Sequence, residues 1–207
     1  MLIPIHEEMT RVALCAHFSL RALEVVLAAN SKQDSLHRQI GHDEIHFDNN
    51  AFEKGRNYIN EQRGYVIAAL LSPGVLSAWI AFGRLTHTVQ DFYAHTNYVS
   101  LWFDQHNDTL PAPSEIDPVQ TDLLESPSLR SGKVYLPMDA LYFVPILRKL
   151  SLALLPRDSH GWMNLDSPKQ GFKFDYARVA AIKRTQYEFD VLKKILTPEM
   201  LAKFTDI

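Results

Sequence analysis

His87, Asp91 and His95 stand four residues apart in the run GRLTHTVQDFYAHTNYV, residues 83–99. Imidazole nitrogens and carboxylate oxygens are the ligands that borderline divalent cations such as Zn²⁺ accept. On a helix, every fourth position drifts by only roughly 40° around the axis, while two histidines eight residues apart are separated by about 12 Å along it. That distance is too long for His87 and His95 to share one ion. It fits a row of ions in which Asp91 offers one oxygen to each neighbour and the two histidines serve opposite ends. The chemistry of such a row is multinuclear hydrolysis, in which paired cations lower the pKa of a bridging water and spread the charge developing on a phosphoryl group. The competing reading is a buried hydrogen-bonded cluster. Burying a carboxylate and two imidazoles costs several kcal/mol unless they are paired or metallated, and this favours metal.

Helical periodicity dominates the elements that must position these residues. Met9, Ala13, Ala16, Leu20, Leu23 and Leu27 recur at three and four residues, predicting one helix from His6 to near Asn30. A polar stretch from Lys32 to Asn50, rich in His and acid, precedes a second helix carrying Phe52, Tyr58, Ile59, Val66, Ile67 and Leu70, which Ser72-Pro73-Gly74 ends. A third, apolar almost all round, is expected from Val75 to Trp102 with the His-Asp-His run at its centre. Prolines at 111, 113, 118 and 127 make Phe103 to Pro137 a long loop. Met138 to Leu155 resumes helical spacing, interrupted at Pro145, and a polar loop covers Arg157 to Pro168. The last helix runs from Phe174 to Leu196, with Ala177, Ala180, Ala181, Tyr187, Val191 and Ile195 on its inner side. The expected fold is all-α, a single-domain helical bundle with long polar loops spanning residues 1–207.

At 207 residues and 46% hydrophobic content the chain can bury one substantial core. Its 21 basic and 24 acidic residues give a net charge of -3, and no basic block marks a nucleic-acid footprint. The single cysteine, Cys15, excludes an internal disulfide and a Cys-pair zinc ribbon, so any metal rests on nitrogen and oxygen. Neither a signal peptide nor a run of about 18 apolar residues is visible. The expectation is a cytoplasmic chain, with export by a signal-independent route left open.

The run LTHTVQDFYAHTNYV resembles the LHTLQDFYSHSNWV signature of zinc-dependent phospholipase C-like proteins of the heterokaryon-incompatibility C (HET-C) group, relatives of the phospholipase C/P1 nuclease superfamily. HEEMTRVAL is similar to that group's opening ligand motif, IHFDNNAFEKGRNYI to its HFDN segment, SHGWMNLDSPK to its HGGLNKDSP loop and FDYARVAAIKRTQYEF to its closing helix. The resemblance implies a cleft holding two or three Zn²⁺ ions. His87 and Asp91 would be ligands with Asp91 bridging. His95 and His160 would hold a second ion, His6 a third, and Asp48 would complete the edge of the site. Asp48 and Asp91 are the residues implied in catalysis, Asp48 by accepting a proton from the attacking water. Asp166 stands where the secreted relatives carry a Glu. Spacing leaves His42 and His46 both open as a further ligand, with His46 favoured by its neighbour Asp48.

The implied activity is phosphodiester hydrolysis of the phospholipase C type on a phospholipid or other phosphodiester, with peripheral membrane contact. A single-strand-specific nuclease is the first alternative, and a non-catalytic metal-binding protein of membrane interaction or cell death the second. His17 reads as a core histidine, His37 and His106 as solvated, and Cys15 as a small buried hydrophobe. Trp79, Phe92, Tyr93, Tyr98 and Trp102 read as core packing, with Tyr93, Trp102 and Trp162 as candidates to line a cleft.

Overall fold

The computed structural model describes residues 1–39, 41–106, 110–142, 144 and 146–207. Its elements are helical, and among the described residues extended pairing is limited to the isolated bridges Thr96 with Ser131 and Lys133 with Ser159. In chain order the helices are α1 (Ile3–Leu14), α2 (Leu20–Ser31), α3 (Leu36–Gln39), α4 (Asp43–His46), α5 (Phe52–Leu70), α6 (Leu76–His95) and α7 (Tyr98–Asp104). The second half adds α8 (Thr121–Leu124), α9 (Met138–Tyr142), α10 (Arg148–Leu154), α11 (His160–Met163), α12 (Lys173–Ile195) and α13 (Pro198–Thr205).

Helix α6 is the axis of the bundle, packed by α2, α5 and α12. Phe82, Leu85, Val89, Phe92 and Tyr93 are buried along it, and fully burying a Leu or Phe side chain is worth about 1.5–3 kcal/mol. Gly83 is what lets α2 approach: a Cβ there would lie 2.4 Å from the Val26 carbonyl oxygen and 2.7 Å from the Ala29 Cβ. The helix does not continue to Trp102 as expected. Thr96 turns extended, with φ -112° and ψ 166°, and bridges to Ser131; its hydroxyl accepts from the Tyr98 amide at 3.2 Å before α7 begins.

The expected first helix is likewise two. Ser19 is an N-cap whose hydroxyl accepts from the Ala22 amide at 3.1 Å, satisfying a donor that a continuous helix would have used internally. The break carries Cys15, Ala16 and His17 to the surface, so Cys15 is not buried and His17 is not a core histidine; it stacks on Phe189 with centroids 5.0 Å apart. On α12 the inner face is set by Ala177, Ala180, Ala181, Phe189 and Leu192, whereas Tyr187 and Ile195 point to solvent. The expected interruption at Pro145 lies outside the described residues. The proline-rich stretch is not detached from the core: Ile116 and Leu123 are buried, and Tyr98 and Tyr176 donate to the carbonyls of Asp117 and Pro111, each at 2.6 Å.

Candidate metal centre

Three elements bring the chemistry to α6. His6 comes from the second turn of α1, His46 ends α4, and Asp48 follows in a short turn whose neighbours Phe47, Asn49 and Asn50 adopt φ of 58°, 55° and 57°. Non-glycine residues hold such values only when their surroundings over-determine them. A strap at residues 131–134 supplies that support. Gly132 accepts from the Asn49 amide at 2.9 Å, the Ser131 hydroxyl accepts from the Asn50 amide at 2.7 Å, and Asn49 Oδ1 accepts from the Val134 amide at 2.9 Å. The same strap reaches the other two partners. The Gly132 amide donates to the His95 carbonyl at 2.9 Å and the His160 amide donates to the Lys133 carbonyl at 2.8 Å. A Cβ on Gly132 would lie 2.6 Å from the His160 Cα, so only glycine permits this approach.

The two oxygens of Asp91 face different sets of ligands. Oδ2 lies 2.8 Å from His46 Nδ1 and 3.0 Å from His87 Nε2, with Asp34 Oδ1 3.8 Å from the latter. Asp34, His46, His87 and Asp91 place one ligand atom each within 4.8 Å of one another, a group able to hold a cation. Oδ1 faces His6 Nε2 at 3.1 Å and His95 Nε2 at 3.7 Å. A second group of the same kind is Asp48, His95 and His160, with Asp48 Oδ1 2.9 Å from His160 Nδ1. Asp166 closes it, 3.2 Å from His95 Nε2 and 3.8 Å from His160 Nε2. The Met1 amino group is buried between Asp91 and Asp166. Among the described residues the side chains therefore form two cation loci rather than three.

The structure thus brings His6, His46, Asp48, His87, Asp91, His95, His160 and Asp166 together. His42 stays outside: it is exposed and paired with Glu44 at 3.0 Å. Asp34 was not anticipated, since it sits in a short turn at the end of α2 with no periodic partner. Its only signal was a carboxylate at the head of a His- and acid-rich stretch. Tyr93, Trp102 and Trp162 do not line the cavity above the site.

The arrangement fits a metal on grounds beyond donor type. His6 Nε2 and Asp34 Oδ2 are buried with no hydrogen-bond partner, and such groups cost about 1–3 kcal/mol each. Several rings are held from behind, as metal-bound imidazoles are. His95 Nδ1 donates to the His46 carbonyl at 2.8 Å and His46 Nε2 to the Arg38 carbonyl at 3.2 Å. His6 Nδ1 donates to Gln90 Oε1 at 2.7 Å. Gln90 is fixed in turn, because its amide donates to Thr10 at 2.8 Å and Thr185 at 3.1 Å while its oxygen also accepts from Asn30 at 3.2 Å. This buried network joins α1, α2, α6 and α12 and turns His6 Nε2 towards Asp91.

Burial and charge act in opposition on these groups. Burial depresses His87 to about 4 and, with the Met1 amine, lowers His6. Burial also pulls on His160, but Asp48 outweighs it and raises the ring to about 9; Asp91 does the same to His46 in direction. The carboxylates of Asp48, Asp91 and Asp166 stay ionised against burial, Asp48 through His160 and the other two through the Met1 amine and neighbouring histidines. The Met1 amine, despite burial, is held up at about 11 by Asp91 and Asp166.

Above the loci opens a cavity of about 690 Å³. Asp34, Asp43, Asp48, Asp139 and Asp166 contribute to its lining along with His46, His95 and His160, and among the described residues no Lys, Arg, Phe, Tyr or Trp side chain does. Leu2, Ile3, Pro4, Val134 and Leu136 form apolar walls. His87 and Asp91 lie beneath the floor, fully buried. The first locus, reached from the cavity only past Asp34 and His46, is therefore the closed one, and the second, at Asp48, His95 and His160, is open.

Residues 8–121 match the family described as VWA7 N-terminal domain, and this is more than half of the chain. No curated protein and no solved structure matches it. The chain belongs to the VWA7 N-terminal domain family. This corrects the assignment to the zinc-dependent phospholipase C-like, HET-C and phospholipase C/P1 nuclease group, because the central motif of that resemblance at residues 85–99 and its segment at residues 45–59 lie inside the matched span. Ligands at four-residue spacing are dictated by how a helix presents side chains to an ion, so such strings report ligand presentation rather than descent.

Proposed function

We propose that this VWA7 N-terminal domain is a divalent-metal-dependent phosphodiester hydrolase, with Zn²⁺ as the cation and an amphiphile such as a phospholipid as substrate. The observation that carries the reading is the split of Asp91, with Oδ2 in the first locus and Oδ1 facing His95 of the second, beneath a cavity rich in acids and, among the described residues, without Lys or Arg. An anionic phosphodiester would be repelled by such a floor. Two divalent cations would offset the four carboxylates of Asp34, Asp48, Asp91 and Asp166 and give the phosphate a positive seat.

Asp34, His46, His87 and Asp91 would hold the closed ion; Asp48, His95, His160 and Asp166 the open one, where water and substrate can enter. When bound, the pair supplies an acidified water and charge neutralisation at the phosphoryl oxygens. The chain itself does three things. Asp91 fixes the spacing between loci. Asp48, at the cavity edge and held by His160 at 2.9 Å, accepts the proton of the attacking water. The apolar walls at Leu2, Ile3, Pro4, Val134 and Leu136 exclude water and hold an acyl portion. A single-stranded nucleic acid would need cations and stacking aromatics, and among the described residues this lining carries no Lys, Arg, Phe, Tyr or Trp.

The test is release of phosphorylated head group from a phospholipid by zinc-loaded protein, beside Asp48→Asn and Asp91→Ala. Turnover lost in both variants, with the closed-locus zinc retained in Asp48→Asn, supports the assignment. Tight binding of two zinc ions with no turnover on any phosphodiester overturns it in favour of a non-catalytic metal-binding domain.

A further inference from the structure

Between Asp139 and Asp158 the sequence has no acidic residue and three cations, Arg148, Lys149 and Arg157, in a chain whose net charge is -3. The same stretch presents large apolar side chains to solvent. Leu150 is 59% and Leu154 63% exposed, one turn apart on the same face of α10, and Ile146 in the turn before the helix is 88% exposed. This inverts the usual pattern, in which the apolar row of a helix faces the core. The row is held rigidly. Trp162 Nε1 donates to the carbonyls of Leu152 and Leu155 at 3.0 and 3.2 Å, and the Ser151 hydroxyl donates to the Met138 carbonyl at 2.8 Å, tying α10 to α9. The Arg157 guanidinium lies 3.8 Å above the Trp162 ring, a cation seated on an amphipathic aromatic.

Helix α9 links the row to the cavity: Ser151 of α10 is bonded to Met138, and the neighbouring Asp139 lines the cavity. Leu136, 58% exposed and two residues before α9, forms part of the cavity wall, and Leu2 and Ile3 across the opening are also exposed. Apolar side chains interleaved with cations, without acids, match an anionic lipid surface: the hydrocarbon boundary takes the leucines and the phosphates take the cations. No helix is long and apolar enough to cross a membrane, so the contact is interfacial.

We propose that the α10 row, with Lys149 and Arg157 beside it, docks this domain on the surface of an anionic phospholipid bilayer and turns the cavity mouth towards it. This goes beyond the hydrolytic reading and does not depend on it, since the row lies outside both cation loci.

The experiment is sedimentation with vesicles of phosphatidylcholine alone and of phosphatidylcholine mixed with phosphatidylserine, with zinc and after chelation. The expected result is binding to the mixed vesicles that weakens with salt. Lys149→Glu should lower it by about 30-fold, since each unit of charge at such a surface is worth a factor of about five. Leu150→Asp with Leu154→Asp should lower it by at least about tenfold with an unchanged thermal midpoint, as both side chains are already in water. Equal sedimentation of the double variant, or no binding of native protein to either vesicle, overturns the proposal. So does a native dimer that the double variant converts to monomer with no change at vesicles, which would assign the row to a second copy. Binding is read without turnover, so a domain that docks but does not hydrolyse refutes only the hydrolytic reading, and one that hydrolyses soluble esters but does not dock refutes only this one.

Discussion

Gly132→Ala isolates the open locus from the closed one. The added Cβ would sit 2.6 Å from the His160 Cα and 3.0 Å from its amide nitrogen, about 0.8 Å short of ordinary contact, and both clashing atoms are backbone. The strap cannot retreat freely, because its amide is bonded to the His95 carbonyl at 2.9 Å and its carbonyl to the Asn49 amide at 2.9 Å. His160 must therefore move, opening its 2.9 Å contact with Asp48. Overpacking of this kind costs about 1–3 kcal/mol, a fall in Tm of about 2–10 °C for a chain of this length. Zinc titration against a chromophoric chelator should then show one equivalent unchanged and the other weakened by about 10- to 100-fold, the usual loss when a ligand's supporting contacts fail. Gly64→Ala is the control: nothing lies within 4 Å of its Cβ, and in the interior of α5 the change should be neutral or stabilising by about 0.5–1 kcal/mol. Two equivalents bound by Gly132→Ala with native affinity would refute the argument that the strap builds the open locus.

Other outcomes follow from the same geometry. Asp91→Ala should abolish both zinc equivalents, and elemental analysis showing one ion retained at native affinity would contradict its place between the loci. Gln90→Leu removes the acceptor for His6 and Asn30 and the donors to Thr10 and Thr185; a destabilisation of about 2–4 kcal/mol is expected by denaturant unfolding. In chelated protein, His160 is raised from 6.5 to about 9, so its contribution is full below pH 6.5 and is lost as pH rises through about 9. His87 is lowered from 6.5 to about 4, so its contribution is full above pH 6.5 and is lost as pH falls through about 4. Thermal midpoints across that range should show His160→Ala flattening the alkaline limb and His87→Ala the acid one. Zinc should raise the midpoint of native protein and reduce this pH dependence, which calorimetry at several zinc concentrations would follow.

The sequence announced those parts of the molecule whose signal is local. The α5 boundaries at Phe52 and Leu70 follow from apolar spacing and the Ser72-Pro73-Gly74 stop, and the split role of Asp91 follows from helix rise and twist alone. The break between α1 and α2 was hidden because Ala16 and Leu20 continue the apolar spacing; the deciding residue is Ser19, whose hydroxyl also donates to Asp206 Oδ2 at 2.6 Å from the far end of the chain. Asp34 and the strap were hidden for the same reason. Their meaning lies in contacts to residues far along the chain, Asp34 with His87 53 positions away and Gly132 with Asn49 83 positions away, and no periodicity encodes those. The resemblance named residues that the structure gathers into one cluster but not the family, since four-residue spacing is a property of helices.

The strap at residues 131–134 has a consequence for motion. Its amide bonds knit Asn49, Gly132, Val134 and His160 into one set that opens together or not at all. Their backbone hydrogens should exchange with solvent as a single cooperative unit, at a rate set by a partial opening rather than by global unfolding. Occupancy of the open locus would slow that whole unit while leaving the amides of α5 untouched. Exchange at these few positions would thus report ion binding directly, in protein carrying no probe and turning over no substrate.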